Sequence, residues 1–219
     1  VQLIRLQQPR IGTRKLQYLL NPSSGSKIGR DSLFDLLRVH HLLVKPRRAY
    51  HKTTYSHHRF HCHSNLLKDG PDKITPTGPE QVWVADITYL PVKTGDAYLN
   101  LITDAWSRKI VGHHVHDNLK TDSVIQAYKH ALKNRKLTEQ SLIHHSDRGL
   151  QYCSKRYQKL PKQHEIICSM TEGYDCYQNA LAERVNGILK TEFLLCKPAD
   201  LKEVTKMVSE SIDIYNRYR

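Results

Sequence analysis

The order of strand-like and helix-like segments after Glu80 is the feature that most restricts how this 219-residue chain can fold. Five runs have the alternation or β-branched content of strands: 82–90, 97–103, 109–115, 141–145 and 165–169. Helical spacing predicts helices at 121–133, 155–160, 178–196 and 201–215. Short turns between the first three strands predict an antiparallel meander, and helices before the last two predict parallel pairing. The order therefore predicts an α/β fold with a mixed five-stranded sheet flanked by helices.

Three acidic residues lie in this pattern, with 60 residues between Asp86 and Asp147 and 35 between Asp147 and Glu183. Asp86 lies in a predicted strand, Asp147 follows another, and Glu183 lies in a predicted helix. Each has an ordinary alternative explanation: a salt-bridged strand residue, a turn residue and a solvated helix face. Together they form a set of hard oxygen ligands that favours Mg²⁺ or Mn²⁺ over zinc, and two such ions can drive in-line attack on phosphorus.

The neighbours of these acids carry further predictions. On the predicted helix, Asn179, Glu183, Asn186, Gly187 and Lys190 fall within one polar stripe. Arg148-Gly149 follows Asp147, and we expect the glycine to permit a backbone conformation that other residues resist.

Three other residues of this region are expected to be structural. Asp104 is expected to cap backbone donors in a hairpin turn. His144 and His145 alternate on their strand, so one of them should face inward as a core imidazole.

The positive charge of the chain is concentrated near its start. Residues 1–80 hold 14 Lys and Arg against 5 Asp and Glu, a balance of +9, and the remaining residues hold 20 against 16, a balance of +4, which together make the net charge of +13. A basic surface of this size favours a polyanionic partner whose affinity depends on salt. A solvated basic surface is the alternative.

The first 48 residues predict two helices, 13–20 and 31–43, with Asp31 as the N-cap of the second. A small helix-turn-helix-like module is the simplest interpretation, and a plain helical hairpin is the alternative. Residues 49–80 are rich in His, Pro, Gly and Lys without periodicity, which predicts a basic linker.

Apolar runs, cysteines and the first residue carry further expectations about where the protein resides and how it is produced. The chain has no run of about 18 apolar residues, so we expect no membrane span. Its five cysteines are an odd number without paired spacing, which favours a reduced, cytoplasmic compartment. It begins with Val1, so we expect a fragment, a processed product or a frameshift-dependent reading frame.

Four motifs carry a resemblance to a known family: Val-Trp-Val-Ala-Asp86-Ile-Thr-Tyr, Leu-Ile-Thr-Asp104-Ala-Trp-Ser-Arg, His-Ser-Asp147-Arg-Gly-Leu-Gln-Tyr, and Asn-Ala-Leu-Ala-Glu183-Arg followed by Leu-Lys190-Thr-Glu192. The chain resembles the second reading frame of DDE insertion-sequence transposases, whose catalytic core is similar to retroviral integrases and has a ribonuclease-H-like fold. The N-terminal segments Ile-Gly-Thr-Arg-Lys and Leu-Leu-Val-Lys resemble the helix-turn-helix that precedes such cores.

The resemblance implies a function and its residues. Asp86, Asp147 and Glu183 would hold two Mg²⁺ or Mn²⁺ ions for DNA cleavage at transposon ends and strand transfer into target DNA. Lys190 would contact the DNA end. The remaining expected DNA contacts are Arg148, Asn179, Asn186, Arg14, Lys15, Arg30 and Arg38.

The resemblance also implies partners and boundaries. Expected partners are double-stranded DNA of the transposon ends and the target, further copies of the chain on that DNA, and a DNA-binding protein encoded in an upstream frame. The expected location is the cytoplasm, on the nucleoid, with no membrane. The expected domains are a helix-turn-helix-like module at 1–48, a His-rich linker at 49–80 and the integrase-like core at 81–219. The core is expected to lack its C-terminal tail, because the family continues beyond Tyr-Asn-x-Tyr-Arg.

Two other functions stay open from the sequence. One is a non-catalytic DNA-binding remnant of a transposase. The other is a ribonuclease-H-like nuclease that hydrolyses DNA without joining it.

Overall fold

A computed structural model gives the fold, and it describes residues 1–23, 27–44, 60–172 and 179–218. Its helices are α1 (Gln2–Gln7), α2 (Thr13–Ser23), α3 (Arg30–Val39), α4 (Thr121–Asn134), α5 (Leu150–Cys153), α6 (Lys155–Gln163), α7 (Ala180–Ile188) and α8 (Leu201–Tyr218). Its strands are β1 (Val82–Val92), β2 (Gly95–Asp104), β3 (Ile110–His116), β4 (Ile143–Ser146) and β5 (Ile167–Met170). None of the described helices is long and apolar enough to cross a bilayer.

The five strands form one mixed sheet in the order β3-β2-β1-β4-β5. β1 and β2 pair antiparallel, as do β2 and β3, while β4 runs parallel to both β1 and β5. The predicted α/β fold and its strand directions are therefore confirmed. The directions follow from the connections, because the turn of Lys93 and Thr94 reverses the chain between β1 and β2, whereas α4 carries it back for a parallel strand.

Both faces of β1 are covered, which places its alternate side chains in two different apolar clusters. Trp83 and Ala85 pack with residues of α4, α5 and α6. Val82 and Val84 pack with Ile143 and with Ala182 of α7. Asp86 shares the side of Val82 and Val84, and therefore faces α7.

We predicted that one of His144 and His145 faces inward. The prediction is wrong, because both faces of the sheet are covered and both imidazoles are buried. His144 Nε2 lies 2.6 Å from the hydroxyl of Tyr157, and His145 Nδ1 lies 2.9 Å from Ser169 Oγ. A strand in the middle of a covered sheet has no solvent-facing side.

Asp104 has the turn role that was predicted for it. Its Oδ1 accepts hydrogen bonds from the backbone N–H groups of Trp106 and Ser107 and from Ser107 Oγ, and its Oδ2 accepts from Glu80 N at 2.6 Å. The carboxylate is only 1% exposed, and these four donors compensate its burial.

The edge strand β3 is covered by helix α8. Asn216 of α8 accepts from the N–H of Ile110 through Oδ1 and donates to its carbonyl through Nδ2, both at 2.9 Å. The side-chain amide thus replaces the backbone partner that an edge strand lacks.

Contacts divide the chain into two units, Val1–His51 with Ile188–Leu195, and Lys52–Gly187 with Cys196–Arg219. The first unit contains α1, α2 and α3; Ile11, Leu16, Leu33 and Leu37 form its apolar cluster, against which Ile4 of α1 packs. The predicted boundaries at residues 48 and 80 stay a prediction, and much of the predicted linker, 49–59, lies outside the described residues.

Two helix predictions are wrong in detail. Gly29, in an extended conformation, is the N-cap of α3, whereas Asp31 lies inside the first turn and binds Arg30. The predicted helix 178–196 is α-helical only to Ile188, and its start at Gln178 lies outside the described residues. Residues Leu189–Phe193 form a π-helical turn, which Leu194 N closes on Leu189 O at 2.8 Å. A wider turn of this kind changes the helical register in a way that apolar periodicity does not reveal.

Gly112 of β3 allows α4 to approach the sheet closely. A Cβ at this position would lie 2.5 Å from the carbonyl oxygen of Ala127 and 2.7 Å from Ala131 Cβ. We predict that Gly112→Ala lowers the free energy of unfolding by about 3 kcal/mol, because backbone atoms of α4 must move. Urea unfolding followed by circular dichroism measures the change.

Gly187→Ala is the matched control, since a Cβ there meets no heavy atom within 4 Å beyond its chain neighbours and the backbone of its own helix. It should change stability by no more than about 1 kcal/mol, in the stabilising direction, because alanine favours the helix. Equal stability of Gly112→Ala and the native protein would contradict the close packing of α4 on β3.

Candidate active site

The site begins with Asp86 in the central strand β1. Its side chain points toward α7, and its backbone pairs with Leu101 of β2. The Nδ2 group of Asn186 in α7 donates a hydrogen bond of 2.7 Å to Asp86 Oδ2. A carboxylate in the middle of the sheet is thus connected directly to the helix that carries Glu183.

A second hydrogen bond holds the start of α7 on the same strand. Asn179 Nδ2 donates to the backbone oxygen of Ala85 at 3.0 Å. Asn179 and Asn186 are both buried, whereas Glu183, between them in sequence, is exposed. Within the predicted stripe, Asn179 and Asn186 therefore fasten the helix to β1, whereas the carboxylate of Glu183 is exposed to solvent.

Asp147 reaches the site from the end of β4. Its Oδ1 accepts a hydrogen bond of 3.0 Å from the N–H of Gly149, which orients the carboxylate. Gly149 was predicted to adopt a backbone conformation that other residues resist. That prediction is wrong, because its φ of −59° and ψ of 144° suit any residue. Space is the constraint instead, since a Cβ would lie 3.0 Å from Asp147 Oδ1 and 3.1 Å from Gln151 Oε1.

The three carboxylates act on one another electrostatically. Burial, followed by the charge of Asp147 and, more weakly, that of Glu183, raises the pKa of Asp86 to about 7, against the opposing hydrogen bonds from Asn186 and the N–H of Ile87. Burial and the charge of Asp147 also raise the pKa of Glu183. The fold therefore gathers these acids in one region although they are far apart in sequence.

Tyr152 of α5 is a neighbour of this site that was not predicted from the sequence. Its side chain is buried, and burial followed by the charges of Asp147 and Asp86 raises its pKa well above the usual value for tyrosine. The phenol thus stays neutral beside the carboxylates. Its position at the end of the His-Ser-Asp-Arg-Gly-Leu-Gln-Tyr motif was the available signal.

The residues predicted to contact DNA near the site lie in varied surroundings. Arg148 Nε donates to the backbone oxygen of Thr171 at 2.5 Å, so this side chain connects the ends of β4 and β5. Asn179 and Asn186 are engaged with β1. Lys190 lies in the π-helical turn after α7, in a stretch that groups with the N-terminal unit. Their contact with DNA stays a prediction.

The predicted contacts in the N-terminal unit are all exposed cations. Arg14 and Lys15 lie in the first turn of α2. Arg30 is paired with Asp31 at 2.8 Å, and Arg38 is paired with Asp35. Exposed pairs of this kind contribute little to stability, so a phosphate can replace the carboxylate partner.

The donor chemistry of the three acids suits a divalent ion of the Mg²⁺ or Mn²⁺ class, because carboxylate oxygens are the hard ligands that these ions prefer. The repulsion that raises the pKa of Asp86 is also what a cation would relieve. As the side chains stand, no three His, Cys, Asp or Glu residues in the described part of the chain are grouped closely enough to hold one metal ion. Shared binding by all three acids therefore requires Asp86, Asp147 and Glu183 to move closer together.

Comparison with known proteins agrees with this architecture. Two models of the integrase core domain match residues 76–176 and 164–219. The chain is 36% identical over 210 residues to the uncharacterized 31 kDa protein of insertion element IS600 from Shigella sonnei, covering 95% of this chain and 75% of that protein. It is 31% identical over 216 residues to a protein assigned as the transposase of IS986/IS6110 from Mycobacterium tuberculosis, covering 95% and 76%.

A solved structure shows the same fold. The HTLV-2 integrase catalytic core domain, determined in complex with magnesium, superposes with a TM-score of 0.51 at 20% identity, covering 64% of this chain and 89% of that one. The ribonuclease-H-like class expected for the sheet is therefore confirmed.

The raised pKa of Asp86 has a consequence for stability. An acid whose pKa is higher in the folded protein than in the unfolded chain lowers the free energy of unfolding as pH rises from about 4 to about 7. We predict that Asp86→Asn, in buffer with a chelator, raises the melting temperature at pH 8 by roughly 5 °C and changes it little at pH 4. Differential scanning calorimetry at the two pH values measures the difference.

Asp72→Asn is the control, because Asp72 is exposed and its removal should leave the melting temperature nearly constant at both pH values. A lower melting temperature of Asp86→Asn at pH 8 would show that Asp86 stabilises the fold as an ion, contrary to the electrostatics described here.

Proposed function

The chain belongs to the insertion-sequence transposases that carry an integrase core domain, and on that premise we propose that it cleaves DNA at the ends of its element and joins them to a target strand. The proposed catalytic residues are Asp86, Asp147 and Glu183. The observation that best supports them is their mutual electrostatic effect, since β1, the end of β4 and α7 bring the three charges into one region.

The residues of the chain divide the work of holding and presenting these acids. Asn186 orients Asp86, and the N–H of Gly149 orients Asp147, so each carboxylate has one oxygen atom held by a hydrogen bond. Glu183 is the exposed member and is accessible to a large substrate. Lys190 is proposed to bind a DNA phosphate as a point charge.

Asp86, Asp147 and Glu183 would together hold two Mg²⁺ or Mn²⁺ ions. Such ions stabilise charge on phosphate oxygens and make a water or a 3′-hydroxyl a better nucleophile. No covalent link between protein and DNA is needed in this chemistry, so the twelve tyrosines of the chain have no required role as nucleophiles.

The proposed partner is double-stranded DNA, both at the ends of the element and at the target. The net charge of +13 supports it, because each phosphate contact releases counterions and strengthens binding at low salt. Assembly of several copies on paired ends, a DNA-binding protein from an upstream frame, and residence on the nucleoid belong to the same proposal.

We predict that Asp86→Asn, Asp147→Asn and Glu183→Gln each reduce cleavage of a labelled element end by at least about a thousandfold, because each removes a carboxylate that would hold the cations that stabilise the developing negative charge. Gel electrophoresis of the products with Mg²⁺ or Mn²⁺ measures cleavage, and electrophoretic mobility shift measures DNA binding, which should change less than about threefold.

Glu139→Gln is the control, since Glu139 is an exposed carboxylate that precedes β4, whereas Asp147 follows the opposite end of that strand. It should cleave at the native rate. A variant of any of the three acids that keeps native activity would remove that residue from the mechanism.

Joining is the step that distinguishes a transposase from a nuclease. Given a pre-cut donor end with a free 3′-hydroxyl and a target duplex, the protein should yield covalently joined DNA in the presence of Mg²⁺ or Mn²⁺. Hydrolysis alone would favour the nuclease, and binding without any cutting would favour a non-catalytic remnant.

Metal binding has a readout that does not depend on activity. We predict that Mg²⁺ or Mn²⁺ at about ten times its dissociation constant raises the melting temperature by roughly 4 °C, because an ion that binds only the folded protein stabilises it. The triple variant Asp86→Asn, Asp147→Asn, Glu183→Gln should not respond. The same increase in the triple variant would place the ion elsewhere.

A further inference from the structure

A groove with a volume of about 590 Å³ lies along the α7 side of β1, and we call it the β1 groove. Its apolar floor includes Val82, Val84 and Ala105. Polar and aromatic side chains line it as well: Lys73, Trp106, Arg108 and Asn179. A volume of this size is typical of sites for small organic groups, and the mixture of apolar floor, indole and cationic side chains favours a ligand that combines a flat ring with an anionic group.

Trp106 presents an indole in the β1 groove from the turn between β2 and β3, and its residue is 53% exposed. The turn is held firmly, because Asp104 Oδ1 accepts from the N–H groups of Trp106 and Ser107 at 3.1 and 2.7 Å. Arg108 follows in a left-handed conformation with φ of 65°, and its carbonyl accepts a hydrogen bond from Tyr215. An aromatic ring on such a rigid turn loses little entropy when another ring stacks on it.

Positive charge accompanies the indole. The Arg108 side chain is exposed and forms no ion pair with any of the described residues. Lys73 is paired with Asp69 at 2.5 Å, in an exposed pair that a stronger anion can displace. A phosphate group beside the ring is therefore the ligand that this charge fits.

The other end of the β1 groove carries an unsatisfied acceptor. Asn179 is only 5% exposed, and its Nδ2 is used by the carbonyl of Ala85. Its Oδ1 is buried and has no donor among the described residues. A buried acceptor without a partner is unfavourable, and an amino or hydroxyl group of a ligand would satisfy it. Because Ala85 precedes Asp86, this end of the groove adjoins the proposed catalytic site.

We propose that the β1 groove binds one unpaired nucleotide of DNA, with its base stacked on Trp106, its phosphate on Arg108 and Lys73, and an amino or hydroxyl group donating to Asn179 Oδ1. The proposal rests on the proposed function in taking DNA as the substrate. It adds a place where a strand separates from its complement: Val82 lies only about 13 Å along β1 from Asp86. A base held there cannot stay paired, so the neighbouring phosphodiester is presented as a single strand.

Tryptophan fluorescence tests the proposal directly, because Trp83 is fully buried and Trp106 is the exposed member of the two tryptophans. The full chain is titrated, in buffer with a chelator, with a short single-stranded DNA, with a base-free backbone of the same length, and with the corresponding duplex. The single strand should quench the emission strongly, and the base-free backbone and the duplex should not.

Variants separate stacking from general attraction. Trp106→Ala and Arg108→Ala should each weaken single-strand binding about tenfold and duplex binding less than about twofold, while Trp106→Phe should keep most of the affinity. Phe60→Ala and Lys109→Ala are the matched controls, since each replaces an exposed side chain of the same kind that does not line the β1 groove. Both should bind like the native protein.

Equal quenching by the intact and base-free strands, no quenching at all, or native single-strand affinity of Trp106→Ala would each overturn the proposal. None of these readouts requires cleavage. Failure of the catalytic carboxylate variants to affect cleavage would instead refute the proposed function, with quenching unchanged, so the two failures are distinguishable.

Discussion

The hydrogen bond from Asn186 to Asp86 is the contact on which the candidate active site depends. It joins α7 to the central strand of the sheet at a carboxylate whose pKa is raised by burial and by Asp147, and the bond from Asn179 to Ala85 holds the beginning of the same helix. With the helix held at both positions, Glu183 has a defined place relative to Asp86 and Asp147. Without these amides, the third acid would sit on a helix held by the apolar packing of residues such as Ala182 and Val185.

The fold brings three carboxylates together although their negative charges repel one another. Burial and repulsion raise the pKa of Asp86 to about 7, and the pKa of Glu183 is raised for the same two reasons. The backbone accommodates the site, because Gly149 has no Cβ to crowd the Asp147 carboxylate and Gly112 lets α4 pack directly on the sheet. Perturbed acids of this kind are typical of functional sites, where a cation or a reacting group offsets the repulsion. The same strand then continues from the acids into the β1 groove, so catalysis and strand binding would share one rigid support.

Local patterns in the sequence predicted correctly those features that neighbouring residues along the chain decide. Turn lengths and helical crossovers were sufficient for the strand directions, and the short turn after β2 was sufficient for the role of Asp104. Predictions from the sequence were wrong where residues brought close by the tertiary fold determine the structure. Gly149 is small because the Asp147 carboxylate lies beside it, not because of its backbone angles. His144 and His145 are both buried because helices cover both faces of the sheet, and the π-helical turn after Ile188 leaves no mark in apolar periodicity.

The sequence by itself determined the mixed sheet and the basic character of the chain, and it supplied the prediction that Asp86, Asp147 and Glu183 act together, because alternation, charge and motif spacing are properties of the linear chain. Only the tertiary structure decided which amides fasten α7 to β1, that Tyr152 lies beside the carboxylates, and that Trp106, Arg108 and Asn179 line a common groove. These relations join residues separated by up to about a hundred positions, and such contacts depend on how helices pack on a sheet rather than on any local pattern.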